Sequence, residues 1–169
     1  MRDLLRAVPL FADLPNDDID LLAGCVTEHR AAAGTCLFAE GDAGETACVV
    51  TAGEVEVVLA KDDGEVPLAV RGKGEIFGEM SLIENKNPSA FVVATEPTRV
   101  IRIPERVFWE LLDASIQINR NMLHIMSMRV RLSTLLVAES LDTHKACMRD
   151  ATIDALTGLH NRRWLDNMF

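Results

Sequence analysis

The sequence predicts an α+β protein, in which an antiparallel, jelly-roll-like β-roll is flanked by helices and followed by one long C-terminal helix. Between about residues 33 and 103, short runs rich in β-branched residues alternate with glycine-containing turns, as in antiparallel rolls and barrels. After Pro104 the apolar residues recur at helical spacing, and neither proline nor glycine interrupts the chain between Ser115 and Gly158. We expect the roll and its flanking helices over 1–114, a dimerisation and signalling helix over 115–150, and the start of a further domain over 151–169.

The opening of the chain predicts short helices that pack against the roll. Asn16 precedes a turn that carries Ile19, Leu21 and Leu22, and an asparagine side chain in this position can cap a helix. We therefore expect a helix that begins just after Asn16.

A β-hairpin is predicted in the middle of the roll. Val55, Val57 and Leu59 alternate with the residues between them, which is typical of a strand with one buried face. Residues 61–64, Lys-Asp-Asp-Gly, supply a reverse turn into the next strand.

Composition and charge narrow the function. The chain has 169 residues, of which 49% are hydrophobic and 25% charged, and this is enough for one well-buried domain with an appendage. Its formal net charge of -9 provides no basic field that would attract nucleic acid or an anionic membrane. No apolar run reaches the roughly 18 residues that a membrane span requires. We expect a cytoplasmic protein that binds neither DNA nor a membrane.

The four cysteines and four histidines give no sign of a metal site or of a disulfide framework. The cysteines, at positions 25, 36, 48 and 147, lack CxxC spacing and lie in apolar or helical surroundings, so we expect reduced core residues. The histidines have no partner at metal-ligand spacing. We assign no metal ligand.

The predicted long helix is apolar on two faces. At about 1.5 Å per residue it would extend roughly 50 Å, which is more than one small roll can cover. One face follows a heptad pattern, typical of a two-stranded coiled coil, through Ile116, Asn119, Leu123, Met126, Val130 and Val137. A second register fits the middle of the helix equally well, through Ile118, Asn121, Ile125, Met128, Leu132 and Leu135. We predict a parallel homodimer through the first row. Two alternatives remain open: a dimer through the second row, and a helix that only covers its own roll.

The stretch 74–94 has the pattern of a site for a sugar phosphate. Gly74 and Gly78 allow a ligand to approach the backbone closely, and Glu79 supplies a carboxylate that can accept a hydrogen bond from a sugar hydroxyl. Ser89 and Ala90 offer a hydroxyl group and two backbone N–H donors ahead of an apolar strand.

This stretch resembles the phosphate-binding cassette of cyclic nucleotide-binding domains, as in the catabolite activator protein and the regulatory subunits of cyclic AMP-dependent kinase. The segments 10–14, 34–44 and 52–55 resemble the same family in the expected order, so the resemblance covers about residues 5–140. It implies a β-roll with the long helix as dimer seam and as lid over a cyclic nucleotide, whose ribose 2′-hydroxyl donates to Glu79. The ligand-binding residues are then Gly78, Glu79, Met80, Lys86, Ser89 and Ala90.

Pro88 departs from the family pattern. Members that bind a nucleotide carry an arginine immediately before the Ser-Ala pair, whereas proline offers neither a charge nor an N–H group. The other candidate cations are Arg71, Lys86, Arg120, Arg129 and Arg131. Two interpretations stay open: one of these cations replaces the arginine, or the pocket binds a different ligand or none.

A second resemblance lies near the C-terminus. Residues 154–165, DALTGLHNRRWL, resemble the DxLTGLxNRR segment at the start of GGDEF domains, the diguanylate cyclases. The resemblance implies that the catalytic carboxylates, and with them GTP and magnesium, belong to a domain downstream of residue 169. We assign no catalytic residue and no cofactor to the chain itself.

Two functions therefore compete. The chain is predicted to be a sensor and dimerisation module that controls cyclic di-GMP synthesis by a downstream cyclase. The alternative is a scaffold that pairs two cyclase domains, with a degenerate pocket that senses nothing.

Overall fold

The computed structural model describes residues 1–61 and 64–152, with side chains up to residue 138. The helices are α1 (Arg2–Arg6), a 3₁₀ helix (Pro9–Phe11), α2 (Asn16–Cys25), α3 (Glu79–Glu84), α4 (Glu105–Ala114) and α5 (Ile116–Thr152). The strands are β1 (Thr27–Ala31), β2 (Cys36–Phe38), β3 (Thr46–Ala52), β4 (Val55–Lys61), β5 (Gly64–Arg71), β6 (Ile76–Phe77), β7 (Phe91–Ala94) and β8 (Thr98–Pro104).

Within this described part of the chain, the strands form two four-stranded sheets with the orders β1-β8-β3-β6 and β2-β7-β4-β5. All strand pairs are antiparallel. The interior cluster draws side chains from both sheets, so the sheets pack face to face. Its buried members are Phe38, Cys48, Val50, Val55, Phe77, Val92 and Val100. The predicted fold class, an antiparallel roll with flanking helices and a C-terminal helix, is confirmed.

The β4–β5 hairpin forms where the sequence predicts it, but burial along β4 does not alternate strictly. The register with β5 shifts between Val57 and Val58, because β5 carries one extra residue, Leu68, in a β-bulge. Strand β4 itself stays in regular register with β7. Val58 is buried, although alternation places it on the outer face with Glu56, and Val57 and Leu59 are only half-buried. The prediction that Val55, Val57 and Leu59 share one buried face therefore holds fully only for Val55.

Helix α4 covers part of the outer side of the β1-β8-β3-β6 sheet. Ile101 and Ile103 of β8 are completely buried on the side opposite Val100, and α4 contacts β8 and β3. The predicted cap by Asn16 is wrong, because Pro15 occupies the N-cap position and α2 begins at Asn16 itself. The Asn16 side chain instead accepts a hydrogen bond from Arg6.

The long helix begins at the expected residue. The Oγ of Ser115 accepts a hydrogen bond from the N–H of Ile118 at 3.3 Å, which caps the first turn of α5. Met1–Leu123 form one compact unit, and the helix from His124 onward belongs to a second unit. The predicted division at residues 114 and 150 stays a prediction, and the GGDEF-like segment 154–165 lies outside the described residues.

The cysteines differ in environment. Cys48 is buried in the roll interior, as predicted, but Cys25 and Cys36 are exposed, so the prediction of core positions is wrong for these two. Cys25 is the last residue of α2 and Cys36 is the first residue of β2, and the apolar pattern around them does not require burial. The side chain of Cys147 lies outside the described ones. Burial raises the pKa of the Cys48 thiol from about 9 to about 12, and the charge of Arg102 opposes this only in part.

We expect the Cys48 thiol to be unreactive in the folded protein. Its folded pKa is raised, so its contribution to stability is complete below about pH 9 and is lost as the pH rises towards 12. In a Cys147→Ser variant at pH 8, a thiol reagent should modify two cysteines within minutes and the third only after denaturant is added. Modification of all three in the native protein would contradict the burial of Cys48.

Candidate functional site

The sharp turn between β6 and α3 builds the predicted ribose end of the site. Gly78 has a φ of +80°, and a Cβ atom on it would lie 2.6 Å from Cε2 of Phe38 and 2.9 Å from the carbonyl oxygen of Thr46. Both the backbone conformation and the space therefore require glycine. The turn points the next residue, Glu79, inward, where its side chain is only 1% exposed. A carboxylate this deeply buried must be held by polar groups, as a sugar hydroxyl would hold it in a complex.

The loop after α3 builds the other end and is held against the loop between β2 and β3. Asn85 ends the helix with a φ of +51°. The N–H of Gly41 donates to the carbonyl of Pro88 at 3.0 Å, and Asn87 donates to the carbonyl of Gly41 at 3.3 Å. A Cβ atom on Gly44 would lie 2.8 Å from the carbonyl oxygen of Lys86. These contacts fix the backbone ahead of Ser89, and the sequence analysis did not identify Gly41 or Gly44 as part of the site.

Both ends of the site are anchored in the same roll interior. Gly78 directly follows Phe77, and the exposed Ser89 and half-buried Ala90 lead into β7 with its buried Val92. Phe77 and Val92 both belong to the interior cluster. Of the remaining predicted ligand residues, Met80 and Lys86 have exposed side chains.

The loop itself supplies no inward-facing cation. Pro88 is half-buried and carries no N–H group. The side chain of Lys86 is 73% exposed, and its Nζ atom lies 3.1 Å from a carboxylate oxygen of Glu84. Lys86 is therefore oriented toward a neighbour on the surface of α3.

Arg71 is the least exposed of the candidate cations in the first unit. It pairs with the fully buried Val55 across the hairpin, so the two side chains share the interior face of the sheet. The Arg71 side chain is 21% exposed, and its guanidinium donates to the carbonyl of Val70 and lies 3.8 Å from Glu75. Arg120 is exposed. Arg129, which is half-buried, and Arg131, which is exposed, belong to the second unit.

The two apolar rows of α5 differ in burial over its first two turns, whereas Met128, Leu132 and Leu135 of the second row are exposed. Ile118 and Met122 are buried, and the Nδ2 atom of Asn121 donates to the N-terminal segment. The first row has the opposite character, with exposed fractions of 76% for Ile116, 70% for Leu123, 66% for Val130 and 59% for Val137. Of its other members, Asn119 is exposed and Met126 half-buried.

One cavity lies beside the start of α5 and another beside the loop after α3. An apolar groove of about 250 Å³ runs between α2, α4 and the first turn of α5, and a polar pocket of about 240 Å³ lies between Glu45, Asn85 and Glu105. Among the described residues, no three His, Cys, Asp or Glu side chains are grouped closely enough to hold a metal ion. In that same part of the chain, no helix has the length and apolarity to cross a bilayer.

A comparison with models of protein families identifies the family of this chain. Residues 28–115, just over half of the chain, match the family model of the cyclic nucleotide-binding domain. The chain belongs to this family. The matched residues include the Gly78 turn, α3, the loop with Pro88 and strands of both sheets.

Individual relatives agree with the family assignment. The cyclic AMP receptor protein of Thermus thermophilus is 29% identical over 132 residues, which is 78% of this chain and 61% of the relative. The crystal structure of the catabolite activator protein from the same organism superposes with a TM-score of 0.66 over 77% of this chain and 62% of that one, also at 29% identity. The chain thus spans less than two thirds of the length of these relatives.

A third neighbour is a solved kinase regulatory subunit. It is the regulatory subunit of a cAMP-independent protein kinase A from Trypanosoma brucei, with 25% identity and a TM-score of 0.64 over 77% of this chain and 49% of that one. The solved form carries three substitutions, one of them threonine to arginine, and is bound to cAMP in its A site.

Proposed function

We propose that this cyclic nucleotide-binding regulatory domain binds a nucleotide at the Gly78–Glu79 turn and that the effect of binding is transmitted to α5. The observation that carries the proposal is the buried carboxylate of Glu79. It directly follows Gly78, where the backbone conformation and the surrounding atoms require glycine. The predicted partners of the phosphate, Ser89 and the Ala90 N–H, lie at the start of β7 on the same roll interior. The cyclic AMP receptor protein of Thermus and the regulatory domain of Toxoplasma gondii PKA, solved with cAMP, support a cyclic nucleotide as the class of ligand.

A ligand panel with matched glutamate variants tests the sensor. Cyclic AMP, cyclic GMP and cyclic di-GMP are added to about millimolar concentration and the melting temperature is measured, because a ligand of the folded state raises it by mass action. We expect one of them to raise it, and Glu79→Gln to weaken binding at least about tenfold through loss of a charged acceptor. Glu84→Gln, on the exposed end of the same helix, should bind as the wild type does. Flat melting curves with every nucleotide would favour the scaffold without a ligand.

The same proposal includes a parallel homodimer through α5. Its seam is the row Ile116, Asn119, Leu123, Met126, Val130 and Val137. The row is supported by the exposure of its apolar members, since Ile118 of the other register is already buried. A dimer would bury these side chains, whose exposure to water is otherwise unfavourable.

We further propose that the output is cyclic di-GMP synthesis, on the strength of the DxLTGLxNRR pattern in residues 154–165. The coding sequence beyond residue 169 tests this, since it should continue into a Gly-Gly-Asp/Glu-Glu-Phe turn. A DNA-binding motif in that place would contradict it.

A further inference from the structure

One side chain fastens the start of α5 to the N-terminal segment. The Nδ2 atom of Asn121 donates to the carbonyl oxygens of Leu10 and Ala12, at 3.0 Å each. Its Oδ1 atom accepts from Nε2 of Gln117 at 3.0 Å, which fixes the orientation of the amide. Carbonyl groups at the end of a 3₁₀ helix have no partner inside that helix. Asn121 therefore satisfies two backbone groups at the C-terminal end of the helix Pro9–Phe11.

The other side of this 3₁₀ helix lies against the turn that leads into the nucleotide site. Gly74 is buried with a φ of +87°, and a Cβ atom on it would lie 3.1 Å from Cδ of Pro9 and 3.9 Å from the carbonyl oxygen of Ala7. The Gly74 N–H donates to the carbonyl of Val50 at 2.7 Å, and the Val50 N–H donates to that of Glu75 at 2.9 Å. The turn is thus held between β3 and the 3₁₀ helix.

The distance along the chain from this turn to the site is short. Strand β6 begins two residues after Gly74 and leads straight to Gly78 and Glu79. The buried strand leaves little freedom between the two glycines, because Ile76 and Phe77 pair with β3 and are buried. A displacement of the Gly74 turn is therefore transmitted to the ribose end of the site.

We propose that Asn121 is a positioning residue for the nucleotide site, acting through the 3₁₀ helix on the Gly74 turn. Asn121, Leu10, Pro9 and Gly74 form one series of contacts inside the unit Met1–Leu123. Strand β6 continues this series along the chain to Glu79. Coupling between two sites is reciprocal. A nucleotide that orders the Gly78–Glu79 turn therefore also strengthens the contact between Asn121 and the 3₁₀ helix. This inference rests on the proposed function for its physiological meaning, but the contacts themselves are tested without a ligand.

Asn119 provides a matched control. It has the same side chain, lies two residues earlier on α5, and donates to the carbonyl oxygens of Leu112 and Ser115, which belong to the joint between α4 and α5. Aspartate in place of either asparagine keeps the shape and removes the donor. Only Asn121→Asp breaks the link to the 3₁₀ helix.

The first measurement is amide hydrogen exchange in the ligand-free protein. We expect Asn121→Asp to accelerate exchange of the Gly74 N–H roughly tenfold, with the Ile101 N–H in β8 unchanged, and Asn119→Asp to alter neither. Since the Gly74 N–H donates to β3 and not to α5, a purely local role of Asn121 would leave it unaffected. If the aspartate variant fails to fold, Asn121→Ala makes the same comparison against Asn119→Ala. Equal Gly74 exchange in both members of a pair would overturn the proposal.

The second measurement is the affinity for cyclic AMP, made in a Pro88→Arg background where binding is expected to be strong enough to measure. We expect Asn121→Asp to raise the Kd roughly tenfold relative to the parent Pro88→Arg protein. An unchanged Kd with accelerated Gly74 exchange would show that the turn does not act on the ligand site, and this too would overturn the positioning role. If the background binds no cyclic nucleotide, the proposed function fails, whereas the exchange of Gly74 still decides whether Asn121 holds the turn.

Discussion

Replacing Leu123 and Val130 together with glutamate should convert a homodimer into folded monomers of about 18.6 kDa. Both residues belong to the exposed first row, and in a parallel pair each would face its own copy across the seam. Two glutamates per chain would then place four like charges in a desolvated interface, which costs far more than the apolar contact they replace. Sedimentation of the variant and the wild type over a range of concentrations measures the change.

The second register supplies the control for this experiment. Leu132→Glu with Leu135→Glu removes as much apolar surface from the same helix, and both residues are exposed. We expect this variant to remain dimeric, and circular dichroism should give the same helix content for both variants. Dissociation by the control pair alone would assign the seam to the second register. A wild-type monomer at concentrations on the order of tens of micromolar would reject the dimer, since a paired helix face of this length associates more tightly.

Substituting Pro88→Arg should create measurable affinity for cyclic AMP where the wild type binds weakly. A guanidinium on this loop restores a charge-assisted contact to the cyclic phosphate, which contributes on the order of 1.5–3 kcal/mol, or roughly 10- to 150-fold in affinity. The substitution keeps the backbone carbonyl that accepts the hydrogen bond from Gly41, so the loop retains its anchor. Calorimetric titration of the two proteins measures the difference.

Two further variants make this prediction specific. Lys86→Arg introduces a guanidinium two residues away in the same loop, but its position faces Glu84 on the surface, so it should leave the affinity unchanged. Adding Glu79→Ala to Pro88→Arg should weaken binding again, because the ribose acceptor is lost. Tight binding by the wild type would mean that another cation supplies the charge, and the partly buried Arg71 is the first to replace. Absence of binding in every variant would favour a closed pocket and the scaffold function.

The local pattern predicted most of the architecture because it depends on short-range chemistry. Alternation and turn residues identify the β4–β5 hairpin, and the cap at Ser115 marks the start of α5. The Gly-Glu pair at 78 and 79 indicates a tight turn with a carboxylate whatever the rest of the chain does. The bulge in β5 opposite Val57 and Val58 was not predicted, because a register shift reflects how two strands pair and not the order of residues in either one.

The sequence by itself determined the fold class, the resemblance to cyclic nucleotide-binding domains and the loss of the loop arginine at Pro88. It also determined that α5 has two apolar faces, but both rows have the same spacing and similar residues, so spacing alone could not distinguish them. The tertiary structure distinguishes them at the start of α5, because Ile118 is buried against the folded domain, where Asn121 donates to the carbonyls of Leu10 and Ala12. Those partners are more than a hundred residues away along the chain. Contacts of such separation arise only once the two segments pack together, which is why the link between α5 and the Gly74 turn could be found only in the folded molecule.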